Sequence, residues 1–287
     1  MTRTGFTGAG IDRADHLRLD PERVAALAAL PGARLLLLDG HDPVLDDAGG
    51  LGWVPVPADS GPLILLGLED GEARFARIAP VRTGALAWSL FALVNRMRPH
   101  DAALWGTARA LIEWHSRHGF CGVCGHATAP FRSGWGRRCE GCDAEHFPRV
   151  DPVVIMLAEH DGQVLVGRQP RYPAGRYSAL AGFVEPGESI EEAVARELHE
   201  EAGVRAAAIR YVASQPWPFP GQLMIACIAA VADPALTLDA NELEDARWVD
   251  RAGVRAALAG EPGAPFSAPP PYAIAHTLLS HWAADER

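Results

Sequence analysis

Apolar and polar positions divide the chain into three textures. Up to about residue 114, short helical and strand-like apolar runs alternate. Asp20 and Pro21 open a predicted helix over 21–30, because an aspartate side chain can cap free first-turn amides and proline fits the first helical position. A buried strand is expected over 34–38, and strands over 62–78 around the Asp70-Gly71 turn. Leu104, Ala108, Leu111 and His115 recur at helical spacing, which predicts an amphipathic helix over 101–118. Residues 121–142 are rich in Gly and Arg and poor in core formers, so apolar burial alone would scarcely fold them. From residue 150 the texture becomes strand, loop, helix and strand. Strands at 153–157 and 164–166 flank the Asp161-Gly162 turn, and further strands follow at 210–212 and 223–231. A Pro-rich loop over 261–271 leads to a final helix over 272–282. The expected division is therefore 1–114, 115–149 and 150–287.

Composition narrows the function. With 287 residues, 48% of them hydrophobic, the chain can bury sizeable cores. Its formal charge is −10 and its basic residues are all arginine, which disfavours bulk binding to nucleic acid or membrane. No run approaches the roughly 20 apolar residues that span a bilayer. The first ten residues lack the apolar core of a secretion signal, so a cytoplasmic protein is expected.

Four of the five cysteines fall in two close pairs, Cys121-Gly122-Val123-Cys124 and Cys139-Glu140-Gly141-Cys142. Fourteen residues separate the pairs, one short of the roughly 15 to 20 usual for a four-cysteine zinc site. Four thiolates close a tetrahedron and leave no place for substrate, so one structural Zn²⁺ per chain is expected. His126 and His146 are alternative ligands but read better as surface residues. Cys227, inside the apolar run 223–228, reads as a packed strand residue.

The strongest pattern starts at Gly182. Glu188 follows after five residues, Arg196-Glu197-Leu198 after seven more, then Glu200-Glu201, Gly203 and Val204. Ser189 and Glu192 have capping-box spacing and Gly203 is a natural stop, which predicts a helix over 190–202. Val194, Ala195, Leu198 and Ala202 make its apolar stripe. Glu197, Glu200 and Glu201 share another face, where carboxylates 5 to 6 Å apart repel by roughly 3 kcal/mol at an effective dielectric near 20. A hard divalent cation, Mg²⁺ or Mn²⁺, would relieve that repulsion. The whole pattern resembles the Nudix signature.

The resemblance implies an α/β (α+β) chain: a Nudix α/β/α sandwich with mixed sheet, preceded by a four-cysteine zinc ribbon and a small N-terminal α/β domain. It further implies that residues 182–188 wrap a diphosphate, that Glu197, Glu200 and Glu201 ligate the catalytic metal, and that Ala181, through its carbonyl, and Glu242 add ligands. Arg196 would orient the carboxylates by ion pairing, and Glu188 completes the set. Ser214-Gln215-Pro216-Trp217-Pro218-Phe219-Pro220 resembles the segment that marks NADH pyrophosphatases among Nudix proteins. Its prolines would hold Gln215, Trp217 and Phe219 ready for a base and a ribose. The chain departs from that family where Gly221-Gln222 replaces its usual serine.

By the same resemblance Phe183 and Phe147 sandwich the adenine, the latter from the other subunit of a homodimer, and Ala275 contacts substrate. The function so implied is metal-dependent hydrolysis of NAD(H) to AMP and nicotinamide mononucleotide, with removal of NAD caps from RNA 5′ ends as a second activity. The competing reading is a zinc-ribbon nucleic-acid-binding regulator with an inactive Nudix domain, against which the intact glutamate set argues.

Overall fold

Side chains of the strand Asp151–His160 alternate between two cores, as the two-residue strand period requires. Val154, Met156 and Ala158 enter one cluster of buried residues, while Ile155 and Leu157 enter another. In this computed structural model, which describes residues 4–79 and 88–285, the chain forms two compact units. One comprises Met1–Gly5, Asp151–Pro216 and Gln222–Arg287; the other comprises Phe6–Val150 and Trp217–Gly221.

In the first unit Asp151–His160 is the central strand of a mixed six-stranded sheet. It runs parallel to Gln222–Val231, with Val154 opposite Ile225. Its other edge pairs antiparallel with Leu180–Phe183, placing Val154 opposite Gly182, and then with Gln163–Arg168. Ala206–Trp217 lies beyond Gln222–Val231, and Asp245–Asp250 closes the far edge. The helix Ile190–Ala202 buries Ala193, Val194, Leu198 and Ala202 on one face of the sheet. Arg251–Ala259 and Ile274–Ala284 bury Val254, Leu278 and Trp282 on the other. Each large side chain so buried contributes about 2 kcal/mol. This is the expected α/β/α sandwich.

The second unit contains a four-stranded sheet in the order Trp53–Pro55, Arg34–Leu36, Glu72–Arg77, Leu63–Glu69. The helix Pro21–Ala28, capped by Asp20, packs against it through Val24, Leu27 and Ala28. A three-stranded sheet of Thr128–Phe131, Gly136–Cys139 and Glu145–His146 carries the cysteines. Between these lie Trp88–Val94 and the longer helix Pro99–Arg117.

Several boundaries differ from expectation for local reasons. The strand expected over 34–38 ends at Leu36, because Leu38–Asp39 turns back to pair with Asp42–Pro43. The helix expected from residue 101 begins at Pro99, whose fixed φ suits a first turn. The helix expected from residue 272 begins at Ile274, since Ala273 is still extended and its amide donates to the Pro270 carbonyl in a turn. The strand expected over 210–212 extends over Ala206–Trp217. Among the described residues no helix is long and apolar enough to cross a membrane.

Candidate active site and metal centre

Both ends of the glutamate-bearing helix are fixed by the residues that the sequence singles out. The Ser189 hydroxyl accepts from the Glu192 amide at 3.2 Å, and the Glu192 carboxylate accepts from the Ser189 amide at 2.7 Å. Gly203 ends the helix in the left-handed region at φ 74°. With its phase thus set, Leu198 points into the core, Glu200 stays exposed and Glu201 falls on the margin, only 2% exposed.

Arg196 organises the surrounding carboxylates. Its Nε and Nη2 grip both oxygens of Glu188 at 2.6 and 2.9 Å, while Nη1 reaches Glu197 at 2.8 Å and Glu200 at 3.0 Å. Nη2 also donates to the Phe183 carbonyl at 2.9 Å, tying the helix to the strand Leu180–Phe183. Charge-assisted and bidentate contacts of this kind are the strong ones. The Arg196 guanidinium, with the Glu185 amide, holds the Glu188 carboxyl down to about 2. Arg196 therefore contacts Glu188, Glu197 and Glu200 together.

Glu197 and Glu201 lie in the opposite electrostatic regime. Burial, with Glu197 and Glu242 nearby, pushes the Glu201 carboxyl up to about 8, although a hydrogen bond from the Ala181 backbone opposes the rise. Glu201 Oε1 is buried without a hydrogen-bond partner. Burial also raises Glu197, and Glu200 and Glu242 add to it. Gly182 allows this arrangement by close approach: a Cβ there would meet the Glu197 carboxyl carbon at 1.8 Å. The signature glycine thus makes room for the carboxylate.

These donors suit a hard divalent cation, since they are carboxylate oxygens and one of them is buried and unpartnered. Among the described residues, however, the cysteines are the group of potential ligands already gathered within 4.8 Å of one another. Among the glutamates, like charges repel, while Arg196 Nη1 bridges Glu197 and Glu200.

At the ribbon, Cys121, Cys124, Cys139 and Cys142 bring their four sulfurs together. The Val123 amide donates to the Cys121 sulfur and the Gly141 amide to that of Cys139, each at 3.3 Å. Although burial raises the Cys121 thiol, backbone amides of Cys124 and Val123 and the His146 ring hold it down to about 6. His126 is exposed as expected, but His146 is half-buried with Nε2 3.2 Å from the Cys121 sulfur. The four-sulfur set fits Zn²⁺.

Residues 148–268 match the NUDIX domain model, and residues 116–147 match the NADH pyrophosphatase zinc ribbon domain model. The chain is 39% identical, over 96% of its length and 94% of the relative's, to the NAD-capped RNA hydrolase NudC of Mycobacterium bovis. The chain belongs to the Nudix family. The Mycobacterium tuberculosis NAD-capped RNA hydrolase NudC gives the same identity and coverage. Human NAD-capped RNA hydrolase NUDT12 is 45% identical over 65% of this chain, and the match spans 43% of the human protein.

Outside the Nudix helix, the predicted substrate residues occupy different environments. Phe183 and Phe147 are about half exposed, at 54% and 53%, with Phe147 set 6.0 Å from Phe131. Gln215 is wholly buried and its Nε2 donates to the Tyr272 carbonyl at 3.0 Å. Trp217 is half-buried and stacked on Phe91 at 6.0 Å. Phe219 is 7% exposed, packed among Phe6, Phe91 and Trp105. Gln222 begins a strand opposite Asp151, Glu242 is exposed, and Ala275 is buried in the first turn of the last helix.

Sequence reasoning missed Arg109 beneath the proline-rich turn and a buried triad in the ribbon unit. In that triad Arg137 donates to Thr128 Oγ1 at 2.7 Å and lies 3.0 Å from His115 Nδ1, while His115 Nε2 lies 2.9 Å from the Gly134 carbonyl. A histidine on an otherwise apolar stripe was the available signal.

Proposed function

We propose that this chain hydrolyses the pyrophosphate of NAD(H), giving AMP and nicotinamide mononucleotide, with Mg²⁺ or Mn²⁺ as the catalytic cofactor. The observation that carries the reading is Glu201, buried with an unpartnered oxygen on the complete signature helix. A carboxylate kept desolvated beside two others loses stability unless a cation joins it. Glu197, Glu200, Glu201 and Glu242, with the Ala181 carbonyl, would hold that cation. When bound, a divalent ion neutralises the diphosphate, polarises phosphorus and lowers the pKa of an attacking water. Arg196 keeps the carboxylates in register, and residues 182–188 form the loop assigned to the diphosphate.

The substrate assignment is supported by the proline-rich segment 214–220 and by relatives named as NAD-capped RNA hydrolases. NAD-capped RNA is accordingly a second substrate. We assign Phe183, Phe147, Gln215, Trp217, Phe219, Gln222 and Ala275 to substrate recognition, with Gln215 and Phe219 acting from buried positions. We also assign one structural Zn²⁺ to the four cysteines, three domains over 1–114, 115–149 and 150–287, a cytoplasmic location and a homodimer.

The test is turnover of NADH with Mg²⁺ or Mn²⁺ in ¹⁸O-labelled water. Products should be AMP and reduced nicotinamide mononucleotide, with label in AMP if water attacks the adenylyl-side phosphorus. Label in the nicotinamide mononucleotide would reverse the substrate orientation. Release of nicotinamide, or no turnover, would reject pyrophosphate hydrolysis.

A further inference from the structure

Pro218 and Pro220 give the turn at Trp217–Gly221 its shape and also deprive it of two amide donors, since proline has none. The Phe219 amide serves the Trp217 carbonyl at 2.9 Å. The buried carbonyl of Pro218 needs a donor from elsewhere, because a buried unpaired carbonyl is costly. That donor comes from the helix Pro99–Arg117 of the same unit. Arg109 Nη1 donates to the Pro218 oxygen, and the guanidinium carbon lies 4.6 Å from the centroid of the Phe219 ring.

The helix is shaped to receive the turn. A Cβ on Gly106 would come within 3.1 Å of Phe6 and 3.3 Å of Pro218, so the turn rests almost on the helix backbone. Trp105, fully buried, packs against Phe219 at 6.1 Å. Arg109 is itself only 8% exposed, and Glu113, one turn along the helix, supplies opposing charge. Packing alone would be served by Leu or Met without desolvating a cation. Above this floor, Trp217 stays half-buried, held by stacking on Phe91 and by an edge contact to Phe6 at 5.8 Å.

We propose that Arg109 is a positioning residue for substrate recognition: through the Pro218 carbonyl and the Phe219 ring it fixes the turn that presents Trp217 to the substrate's base. This rests on the reading of the turn as a recognition element. Removing Arg109 frees the turn without touching the glutamates, so binding suffers and the chemical step does not.

The experiment measures kcat and KM for NADH in the wild type, Arg109→Met, Arg109→Lys and Gly106→Ala, with thermal melting and near-UV circular dichroism on each. Arg109→Met should raise KM roughly tenfold or more and leave kcat within about threefold, a split that general loss of structure would not produce. Arg109→Lys, able to donate to Pro218 but unable to lie flat over Phe219, should fall between. If Arg109→Met does not fold, a raised KM with preserved kcat in Arg109→Lys and in Gly106→Ala, whose added Cβ would press on Pro218, supports the assignment. Unchanged KM in the folded variants, or loss confined to kcat, overturns it. Absence of NADH turnover in the wild type would remove the underlying reading and this assignment with it.

Discussion

The cysteine cluster and the glutamate cluster stand in opposite relation to folding. The four sulfurs already lie within 4.8 Å of one another, supported by backbone amides. The glutamates include a buried carboxylate whose oxygen lacks a partner, while Arg196 bridges Glu197 and Glu200 beside it. A closed tetrahedral site in a segment with little core supports folding when filled. An open carboxylate site stores electrostatic cost that ligand binding releases, at the expense of the unliganded fold. Deleting a ligand should therefore destabilise the first region and stabilise the second.

Stripping metal from the ribbon, by chelation or by Cys139→Ser, should have the largest effect. Structural zinc binding is worth on the order of 10 kcal/mol in small zinc domains, so much of the local fold depends on it. Metal analysis should fall from one zinc per chain to none, and limited proteolysis should open residues 121–142. A ribbon that stays protease-resistant without metal would break the comparison on its first side.

Next comes Glu201→Gln, expected to lower kcat by roughly 100-fold or more with the fold intact, because an amide cannot replace an anionic ligand. The same substitution should raise the melting temperature of metal-free protein. Glu201 is raised to about 8 in the folded state, so its penalty is absent below the unfolded value near 4.5 and grows as pH rises to about 8. Melting curves between pH 6 and 8.5 without divalent ions would show the gain, and a lower melting temperature would contradict the second side. Glu197→Gln should lose turnover similarly.

A third contrast concerns acid, using His115 in the ribbon unit. Burial, with Arg137 facing Nδ1, holds the ring down to about 4, while Gly134 opposes that shift. The unfolded chain then takes up the proton first, and stability is lost as pH falls from about 6.5 to about 4, by up to about 3 kcal/mol. Comparing the melting of wild type with that of His115→Gln across this range, zinc-loaded, should show a smaller acid loss in the variant. Equal losses would remove His115 from the account. The smallest effect belongs to Ser189→Ala, which deletes half of the capping box and should cost about 1 kcal/mol in a urea titration.

Much of the ribbon and of the glutamate helix was legible from residue order because their information is local. Cysteine spacing, capping-box spacing and the Gly203 stop act over a few residues, and all three appear in the structure. The proline-rich segment was legible as a motif, but the sequence did not separate the buried Gln215 and Phe219 from the half-buried Trp217 between them. Gln215 meets Tyr272, 57 positions away, and Pro218 meets Arg109, 109 positions away. Neither partner carries a local pattern announcing the contact.

The sequence by itself determined the sandwich's alternating strands, the helix Ile190–Ala202 with its phase, and the four cysteines of the ribbon site. Side-chain period, caps and ligand chemistry are properties of neighbouring residues, so they survive without knowledge of the fold. Only the tertiary structure decided that Glu201 is desolvated while adjacent Glu200 is exposed, that Gly182 exists to admit Glu197, and that Arg196 reaches back to Glu188 and Phe183. Burial and ion pairing depend on which distant strands and helices close around a group, and that proximity is created when the sheet and helix pack.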